Sequence, residues 1–375
     1  MEMGTEKLNP RPAQHILALV SDAFGGHGGI ATFNRSFLSA IAAMDNVTSV
    51  RVLPRLVERD EPLPAKLVQE NDAAGGKVGY LKTLLRTLAT ESFDLVLCGH
   101  INLLPFARLA QVRCRCPLVL VVHGIDVQQA ANRPGLRFLA RRVDQLISVS
   151  GLTRDRFLEW APLKHGSASI LPNSVDLERF TPGAKSEALL DRYGLQGKQV
   201  LMTFGRLAGR DRHKGFDEVL EVLPELQKNH PDLVYLIVGD GPDRQRLQTK
   251  AQDLGVSAAV VFVGRIAEQE KVEHYRLADL YVMPSRGEGF GIVILEALAC
   301  GIPVIGSRVD GTREALLDGR LGELVDPADS AELMDKIERC LQSVRKSCPE
   351  GLEVFSSEAF VQRTQKIMNT IMMTR

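Results

Sequence analysis

The sequence predicts two α/β domains, each built on a doubly wound parallel sheet, and three observations lead to this prediction. Short apolar runs alternate with amphipathic stretches along the whole chain, which is the pattern of βαβ units. The length of 375 residues exceeds that of most single domains. The alternation pauses over residues 170–185, where Pro172, Pro182 and Gly183 indicate a linker.

Each predicted domain has its own series of buried strands. In the first domain, residues 1–175, we predict strands at His15–Phe24, Phe93–Gly99, Pro117–His123 and Gln145–Ser150. In the second, residues 176–355, we predict them at Gln199–Leu207, Leu233–Gly239, Ala259–Gly264, Leu280–Ser285 and Pro303–Ser307. After the linker, the alternation of strands and helices is expected to resume at Val200. Ligand sites of such sheets lie beyond the carboxyl ends of the strands, so we expect the site in the cleft between the domains.

Composition excludes several classes of protein. Lysine plus arginine equals aspartate plus glutamate, 46 against 46, so no nucleic-acid partner is indicated. Residues 1–180 hold 21 basic and 17 acidic residues, a net +4, and the remainder is −4; the first half is thus expected to meet something anionic. Six cysteines in so long a chain, with no signal peptide and no membrane-spanning run, predict a reduced cytoplasmic protein.

A glycine cluster at residues 25–29 follows the first strand and precedes a helical stretch at Ile30–Met44. Such a loop lets backbone amides approach a phosphate at a helix N-terminus. Gly26, Gly28 and Ala31 also fit a dinucleotide fingerprint. That interpretation needs an acidic residue at the end of the second strand, and residues 50–55 contain none, so NAD is discounted. A plain tight turn remains the alternative.

The most informative segment is residues 284–297, PSRGEGFGIVILEA, which leaves a strand and opens a glycine-rich helix. Backbone N–H groups at Phe290–Ile292 are expected to face the cleft and favour an anion such as a diphosphate. Glu288 is predicted in the loop before the helix and Glu296 about two turns along it. A solvated helix face is the alternative for Glu296, but its apolar neighbours favour a partnered carboxylate.

Two other strand ends carry polar groups. Arg206 and Lys214 follow the first strand of the second half and form a positive pair suited to a diphosphate leaving group. His123 ends a strand of the first half and can donate to a sugar hydroxyl, while Asp126 can orient a group or accept from an acceptor. A charged surface loop and a satisfied strand-end histidine are the alternatives.

Taken together, these residues resemble the retaining family-4 glycosyltransferases of the GT-B fold over essentially the whole chain. The further matches are His123-Gly124, the P-N-x-V-D segment at residues 172–176, and V-G-D-G at residues 238–241. The most specific match is E-x7-E, Glu288 and Glu296, within P-S-x-x-E-G-F-G.

The resemblance implies roles on the donor side of the cleft. Arg206 and Lys214 look like the clamp on the donor diphosphate, and Glu296 looks like the carboxylate that holds the nucleotide ribose. Gly28 and Gly29 look like the loop that closes over the diphosphate.

It also implies roles around the transferred sugar. Glu288 looks like the acid that contacts the sugar hydroxyls, near the amides of Phe290, Gly291 and Ile292. His123 looks like the histidine beside the same sugar. The last helix, about residues 356–375, is expected to cross back onto the first domain.

The implied reaction is transfer of a hexose from a nucleotide-diphosphate sugar without a metal ion or other cofactor. No D-x-D at a strand end is present to hold a divalent cation, and Arg206, Lys214 and a helix N-terminus replace it. GDP-mannose is favoured slightly over a UDP-hexose. The expected acceptor is a lipid-linked saccharide or glycolipid of polysaccharide biosynthesis. Which of Arg210, Arg212 and His213 also touches the donor stays open.

A row of three arginines suggests a surface at which the protein would contact a membrane that holds a lipid acceptor. Arg133, Arg137 and Arg141 fall at i, i+4 and i+8, on one face of a predicted helix, and such a face can lie on anionic headgroups of the inner membrane. A solvated charged face is the alternative.

Two other functions fit the same architecture. A non-hydrolysing UDP-GlcNAc 2-epimerase binds a nucleotide sugar but would not need the E-x7-E arrangement. A regulatory sugar- or nucleotide-binding protein would have lost the catalytic residues, whereas His123, Arg206, Lys214 and Glu288 are all present.

Overall fold

A computed structural model of the chain describes residues 14–163, 167–209, 212–342 and 347–373. The strands before the linker are β1 (Gln14–Val20), β2 (Val47–Pro54), β3 (Leu67–Gln69), β4 (Leu95–Cys98), β5 (Leu118–Val122), β6 (Gln145–Ser148) and β7 (Ser167–Ile170). The helices that connect them are α1 (Gly29–Ala42), α2 (Gly76–Thr90), α3 (Leu104–Cys114), α4 (Ile125–Ala131), α5 (Pro134–Ala140) and α6 (Gly151–Trp160). Within the described residues they form one parallel sheet in the order β3-β2-β1-β4-β5-β6-β7.

The second part of the chain repeats this plan. Its strands are β8 (Gln199–Phe204), β9 (Leu233–Val238), β10 (Val260–Gly264), β11 (Leu280–Val282), β12 (Val304–Ser307) and β13 (Glu323–Val325). Its helices are α7 (Glu187–Tyr193), α8 (Phe216–Asn229), α9 (Arg244–Asp253), α10 (Lys271–Leu277), α11 (Ile292–Ala299), α12 (Thr312–Ala315), α13 (Ser330–Leu341) and α14 (Ser357–Met373). The described strands form a parallel sheet in the order β10-β9-β8-β11-β12-β13, so the prediction of two doubly wound sheets is confirmed.

Both faces of the first sheet are covered by helices. Along β1, Ile16 and Ala18 pack into the core that contains α1, whereas Leu17 and Leu19 pack into the core beneath α2 and α3. This alternation follows from the period of two in a strand. The helices α2, α3 and α5 therefore form an outer layer on the side of the sheet away from α1.

Two chain segments run side by side, in parallel, between the two domains. The N–H of Val175 donates to the carbonyl of Phe355 at 2.9 Å, and Val175 pairs with Ser356 in an isolated bridge. Helix α14 then packs on α1, where Phe360 meets Phe33 edge to face with centroids 5.6 Å apart. The last helix thus returns to the first sheet's domain.

Some elements differ from those predicted. Of β2, only the end at residues 50–55 was anticipated, and the short strands β3, β7 and β13 were not predicted. Helix α7 lies before Val200, where the alternation of strands and helices was expected to resume. The sequence pattern does not reveal these edge strands because they are three or four residues long and partly exposed. No helix in the described ranges is both long and apolar enough to cross a bilayer.

Candidate functional site

Lys214 and Glu288 meet at the carboxyl edge of the second sheet. Lys214 lies just before α8 and its Nζ donates to Oε2 of Glu288 at 2.6 Å. Burial raises the pKa of the Glu288 carboxyl, but the charge and hydrogen bond of Lys214, with His213 and the N–H of Gly289, lower the pKa below its usual value overall. Glu288 is therefore a carboxylate at neutral pH, and its side chain can act only as a hydrogen-bond acceptor.

The backbone of Glu288 is held from both sides by the segment after β12. Oδ2 of the buried Asp310 accepts the N–H of Glu288 at 2.9 Å and the hydroxyl of Ser285 at 2.7 Å. The N–H of Gly311 donates to the carbonyl of Glu288 at 2.9 Å. Oδ1 of Asp310 accepts the N–H of Thr312 at 3.1 Å. Asp310 thus positions the loop that carries Glu288.

Replacing Asp310 with Asn tests this positioning role. Burial raises the pKa of Asp310 to about 6, although its hydrogen-bond donors favour the charged form. Below that pH the protonated carboxyl can no longer accept from both N–H groups, so kcat of the wild type is expected to fall as pH drops through 6. In Asp310→Asn an amide NH₂ faces a backbone N–H, and we expect kcat to be about tenfold lower with no inflection near pH 6. An unchanged inflection would assign that titration to another group.

Helix α11 begins at Ile292, directly after Gly291, as predicted. Gly291 takes the left-handed conformation at φ 94°, and among the described residues the N–H groups of Phe290, Gly291 and Ile292 donate no backbone hydrogen bond in the loop. The phenyl ring of Phe290 is buried against Phe355. The helix therefore presents an open N-terminus, which favours an anion.

Glu296 is the fifth residue of α11, closer to the helix start than the two turns predicted. It is buried, so the solvated alternative is wrong. Lys271 Nζ donates to Oε1 at 3.1 Å and Tyr275 Oη donates to Oε2 at 2.6 Å. Burial lowers the pKa of Lys271, but Glu296 and Glu268 raise it above its usual value overall, so the pair is ionic. Each carboxylate oxygen keeps a lone pair for a further donor.

His123 follows β5 on the opposite side of the cleft. Its Nε2 lies 3.0 Å from the carbonyl oxygen of Gly99; because a carbonyl only accepts, Nε2 carries the proton. Burial lowers the pKa of His123, even though Asp126 raises it. The neutral ring therefore offers Nδ1 as an acceptor, whereas the sequence suggested a donor. Asp126 is buried and its carboxylate accepts the N–H of His123 at 3.1 Å. Its observed contact is therefore with the backbone of the loop that carries His123.

The glycine loop of the first domain has two halves with different surroundings. A β-carbon built on Gly25 would lie 1.9 Å from the carbonyl oxygen of Arg59, so this glycine forms a tight turn. A β-carbon on Gly28 would meet nothing within 4 Å, and one on Gly29 would lie 3.6 Å from Ile292 of α11. Gly28 therefore borders open space, and Gly29 lies against Ile292, the first residue of α11.

The two domains touch at the site itself. A β-carbon built on Gly289 would lie 1.7 Å from the carbonyl oxygen of His123, so these backbones are in close contact. Nearby, Glu314 accepts the N–H groups of Gly151 at 2.8 Å and Leu152 at 2.9 Å at the start of α6. His123 and Glu288 are thereby brought to facing sides of one cleft.

The remaining candidate residues do not cluster at this site. The side chain of Arg206 is exposed and, within the described residues, forms no ion pair. Arg212 lies 4.0 Å from Asp243, while Arg210 falls outside the described residues. Helix α5 is shorter than the predicted basic stripe, so the arginines 133, 137 and 141 are divided. The first donates to Asn102 and the other two donate to the carbonyl of Trp160.

Asp310, Lys271, Tyr275 and Glu314 contact or position site residues and were not predicted. Asp310 follows a buried strand at the sheet edge where the site lies, a signal that would have selected it. Lys271 and Tyr275 lie on a helix without a motif, and nothing local marks them.

Comparison with known proteins adds family information to this geometry. A family model described as Glycosyl transferases group 1 matches residues 189–349, and one described as Glycosyltransferase Family 4 matches residues 27–179. The chain is 36% identical over 263 residues to the GDP-mannose-dependent alpha-(1-6)-phosphatidylinositol monomannoside mannosyltransferase of Mycolicibacterium smegmatis, a match that covers 66% of each protein. It is 30% identical to the D-inositol 3-phosphate glycosyltransferase 2 of Catenulispora acidiphila, over 72% of this chain and 68% of that protein.

Solved structures share the whole fold at lower identity. Anabaena HepE in complex with UDP and glucose superposes with a TM-score of 0.73 at 21% identity, over 95% of this chain and all of that one. Sucrose-phosphate synthase of Thermosynechococcus elongatus gives 0.74 at 21% identity, over 96% of this chain and all of its own. The predicted GT-B architecture is confirmed.

Proposed function

The chain belongs to glycosyltransferase family 4, and from this premise we propose that it transfers mannose from GDP-mannose to a glycolipid with retention at the anomeric carbon. The observation that carries the proposal is the Lys214–Glu288 pair, 2.6 Å apart, which lies beside the open N-terminus of α11 and faces His123. This arrangement combines a cation, a sugar-binding carboxylate and a phosphate-binding helix end in one cleft.

On the donor side, the diphosphate lies at the N-terminus of α11, with Lys214 and the exposed Arg206 as its cationic partners. Glu296, which Lys271 holds in place, accepts the ribose hydroxyls with its remaining lone pairs. Gly28 and Gly29 close over the diphosphate from the first domain. Because two cations and a helix end balance the leaving group's charge, the reaction needs no divalent metal.

At the transferred sugar, Glu288 accepts from hydroxyls and Nδ1 of His123 accepts from another. The bond between the anomeric carbon and the diphosphate oxygen breaks, and its electron pair stays on that oxygen. The acceptor hydroxyl attacks from the same face and gives its proton to the same phosphate oxygen. The products are GDP and a mannoside of unchanged configuration, and Lys214 stabilises the charge that develops on GDP.

The proposed donor and acceptor are inferred from the names of the relatives. Several are named as GDP-mannose-dependent mannosyltransferases of phosphatidylinositol mannosides, which favours GDP-mannose and a glycolipid over the UDP-hexose alternative. An epimerase remains the second candidate for the fold, and transfer to an acceptor separates the two.

A donor panel tests the proposal. The protein is incubated with GDP-, UDP- and ADP-sugars, with and without EDTA and a bacterial lipid extract, and nucleotide release is followed with NMR of the product's anomeric centre. We expect release with GDP-mannose and lipid, unaffected by EDTA, and an α-mannoside product. No release from any donor contradicts transfer, loss of release in EDTA contradicts metal independence, and a changed sugar without acceptor indicates an epimerase.

A further inference from the structure

The segment between β1 and α1, which carries the glycine loop, is bound to the first domain over its first half. Side chains of α1, of β3 and of the residues before β3 all contact the backbone of residues 22–26. These side chains are Asn34 on the carbonyl of Asp22 at 2.8 Å, Gln69 on that of Phe24 at 3.0 Å, and Glu61 on the N–H of Gly25 at 2.6 Å. Long-range contacts therefore fix this half of the segment.

Arg35 of α1 makes two more contacts with the same backbone. Its Nη1 donates to the carbonyl of Ala23 at 3.0 Å and to that of Gly26 at 2.9 Å. Its Nη2 donates to Oγ1 of Thr32 at 3.2 Å, and the guanidinium lies 3.9 Å from the carboxylate of Glu61. An η-nitrogen carries two hydrogens, so the loop uses both hydrogens of Nη1. Arg35 thus holds the loop and does not offer this nitrogen to a ligand.

The next three backbone N–H groups are those of His27, Gly28 and Gly29. Among the described residues, none of the three donates a hydrogen bond. All three residues are exposed, and Gly29 lies against Ile292, the first residue of α11. The side chain of His27 is turned to Glu58, with Nε2 3.3 Å from its carboxylate. The second half of the segment therefore offers its backbone, beside the N-terminus of α11.

The contact between Arg35 and Gly26 sets the direction of the next N–H group. The peptide bond that joins Gly26 to His27 is trans, and in a trans peptide the C=O and N–H groups point in opposite directions. Because the carbonyl of Gly26 points to Arg35 on α1, the N–H of His27 points away from α1. The carbonyl of Gly28 accepts the N–H of Thr32 at 3.0 Å, so by the same geometry the N–H of Gly29 also points away from the helix.

We propose that Arg35 is a positioning residue for the donor, because it holds the N–H of His27 in the direction of the diphosphate, where this N–H joins those of Gly28 and Gly29. Successive N–H groups at a helix N-terminus form a concavity that binds anions. Without Arg35 the peptide between Gly26 and His27 is free to rotate, and its N–H is no longer directed at the anion. The inference deepens the proposed function and rests on it for the nucleotide-diphosphate donor.

Amide NMR tests the positioning without turnover. Labelling with ¹⁵N-histidine gives one backbone signal for each of the eight histidines. The signals of His27 and His213 are assigned from the variants His27→Gln and His213→Gln. Addition of GDP-mannose without an acceptor should shift both signals in the wild-type chain, since His213 precedes Lys214 on the donor side. In Arg35→Met only the signal of His213 should shift.

Steady-state kinetics gives the second measurement. In Arg35→Met we expect kcat to fall about tenfold, with a smaller change in KM, because the charge on the diphosphate develops during bond cleavage. Arg35→Lys keeps the charge without the fork of paired donors, so both kcat and the shift of the His27 signal should be intermediate. Circular dichroism checks that each variant folds.

Lys66→Met is the matched control, because Nζ of Lys66 donates to the carbonyl of Met44 at 2.9 Å, just beyond the other end of α1. It should keep both NMR shifts and the wild-type kcat. A His27 signal that stays in place in the wild type while that of His213 shifts would overturn the proposal. So would a wild-type shift of His27, or a wild-type kcat, in Arg35→Met. If neither signal shifts in the wild type, the proposed donor itself is wrong, and the inference about its diphosphate fails with it.

Discussion

Replacing Lys214 with Ala is expected to lower kcat about 100-fold or more while leaving the fold intact. The variant loses the cation beside the leaving diphosphate. It also leaves Glu288 without the ion pair that keeps the pKa of its carboxyl below the usual value. Since burial alone raises that pKa, the inflection due to Glu288, which lies below that of Asp310 in the wild type, should move to higher pH in the variant. Steady-state kinetics over a pH series measures both effects.

Lys198→Ala provides the control, because Lys198 also forms a lysine–carboxylate pair, 2.6 Å from Asp232, on the exposed edge of the same domain. It should leave kcat and the pH profile unchanged. Lys214→Arg keeps the charge and should recover part of the loss. A normal kcat in Lys214→Ala would remove this residue from the diphosphate clamp, and an unmoved lower inflection would mean that this inflection is not set by Glu288.

The sequence predicted the fold well where burial leaves a continuous apolar run. The inner strands β1, β4, β5, β8 and β9 are such runs, because parallel strands covered on both faces have no polar side. The edge strands are different. Ser167–Ile170 is partly exposed and only four residues long, so its local sequence resembles a loop, and its strand character comes from pairing with β6.

The site was predictable residue by residue but not contact by contact. Motif spacing selected Lys214, Glu288, Glu296 and His123, yet nothing in the sequence indicates that the first two, 74 positions apart, form an ion pair. The partners of Glu296 come from α10, whose sequence has no motif. The hydrogen-bond donor role expected of His123 is wrong because of another long-range contact. Its Nε2–H donates to the carbonyl of Gly99, 24 residues away, so only Nδ1 remains, as an acceptor. Long-range pairing is set by the packing of the sheets, which local sequence does not encode.

Replacing Gly289 with Ala is expected to separate donor binding from turnover. A β-carbon at this position would lie 1.7 Å from the carbonyl oxygen of His123 and 3.0 Å from Cα of Gly124, both backbone atoms of the first domain. The clash is with the facing domain, so the second domain should fold and bind nucleotide normally. The two halves of the site would be held apart, and displacement of about 1 Å costs about 100-fold in rate.

Gly287→Ala is the matched control, two residues away in the same loop. Its β-carbon would lie 3.4 Å from Cβ of His213, an ordinary contact with a side chain of its own domain, and kcat should stay near that of the wild type. Calorimetry should give both variants the wild-type affinity for GDP, while kcat falls in Gly289→Ala alone. Equal turnover in the two variants would mean that the reacting state lacks the His123–Gly289 contact. Weakened GDP binding in Gly289→Ala would instead place the damage within the second domain. The expected pattern makes the approach of His123 to Gly289 a condition for transfer, because only then do His123 and Glu288 border the same sugar.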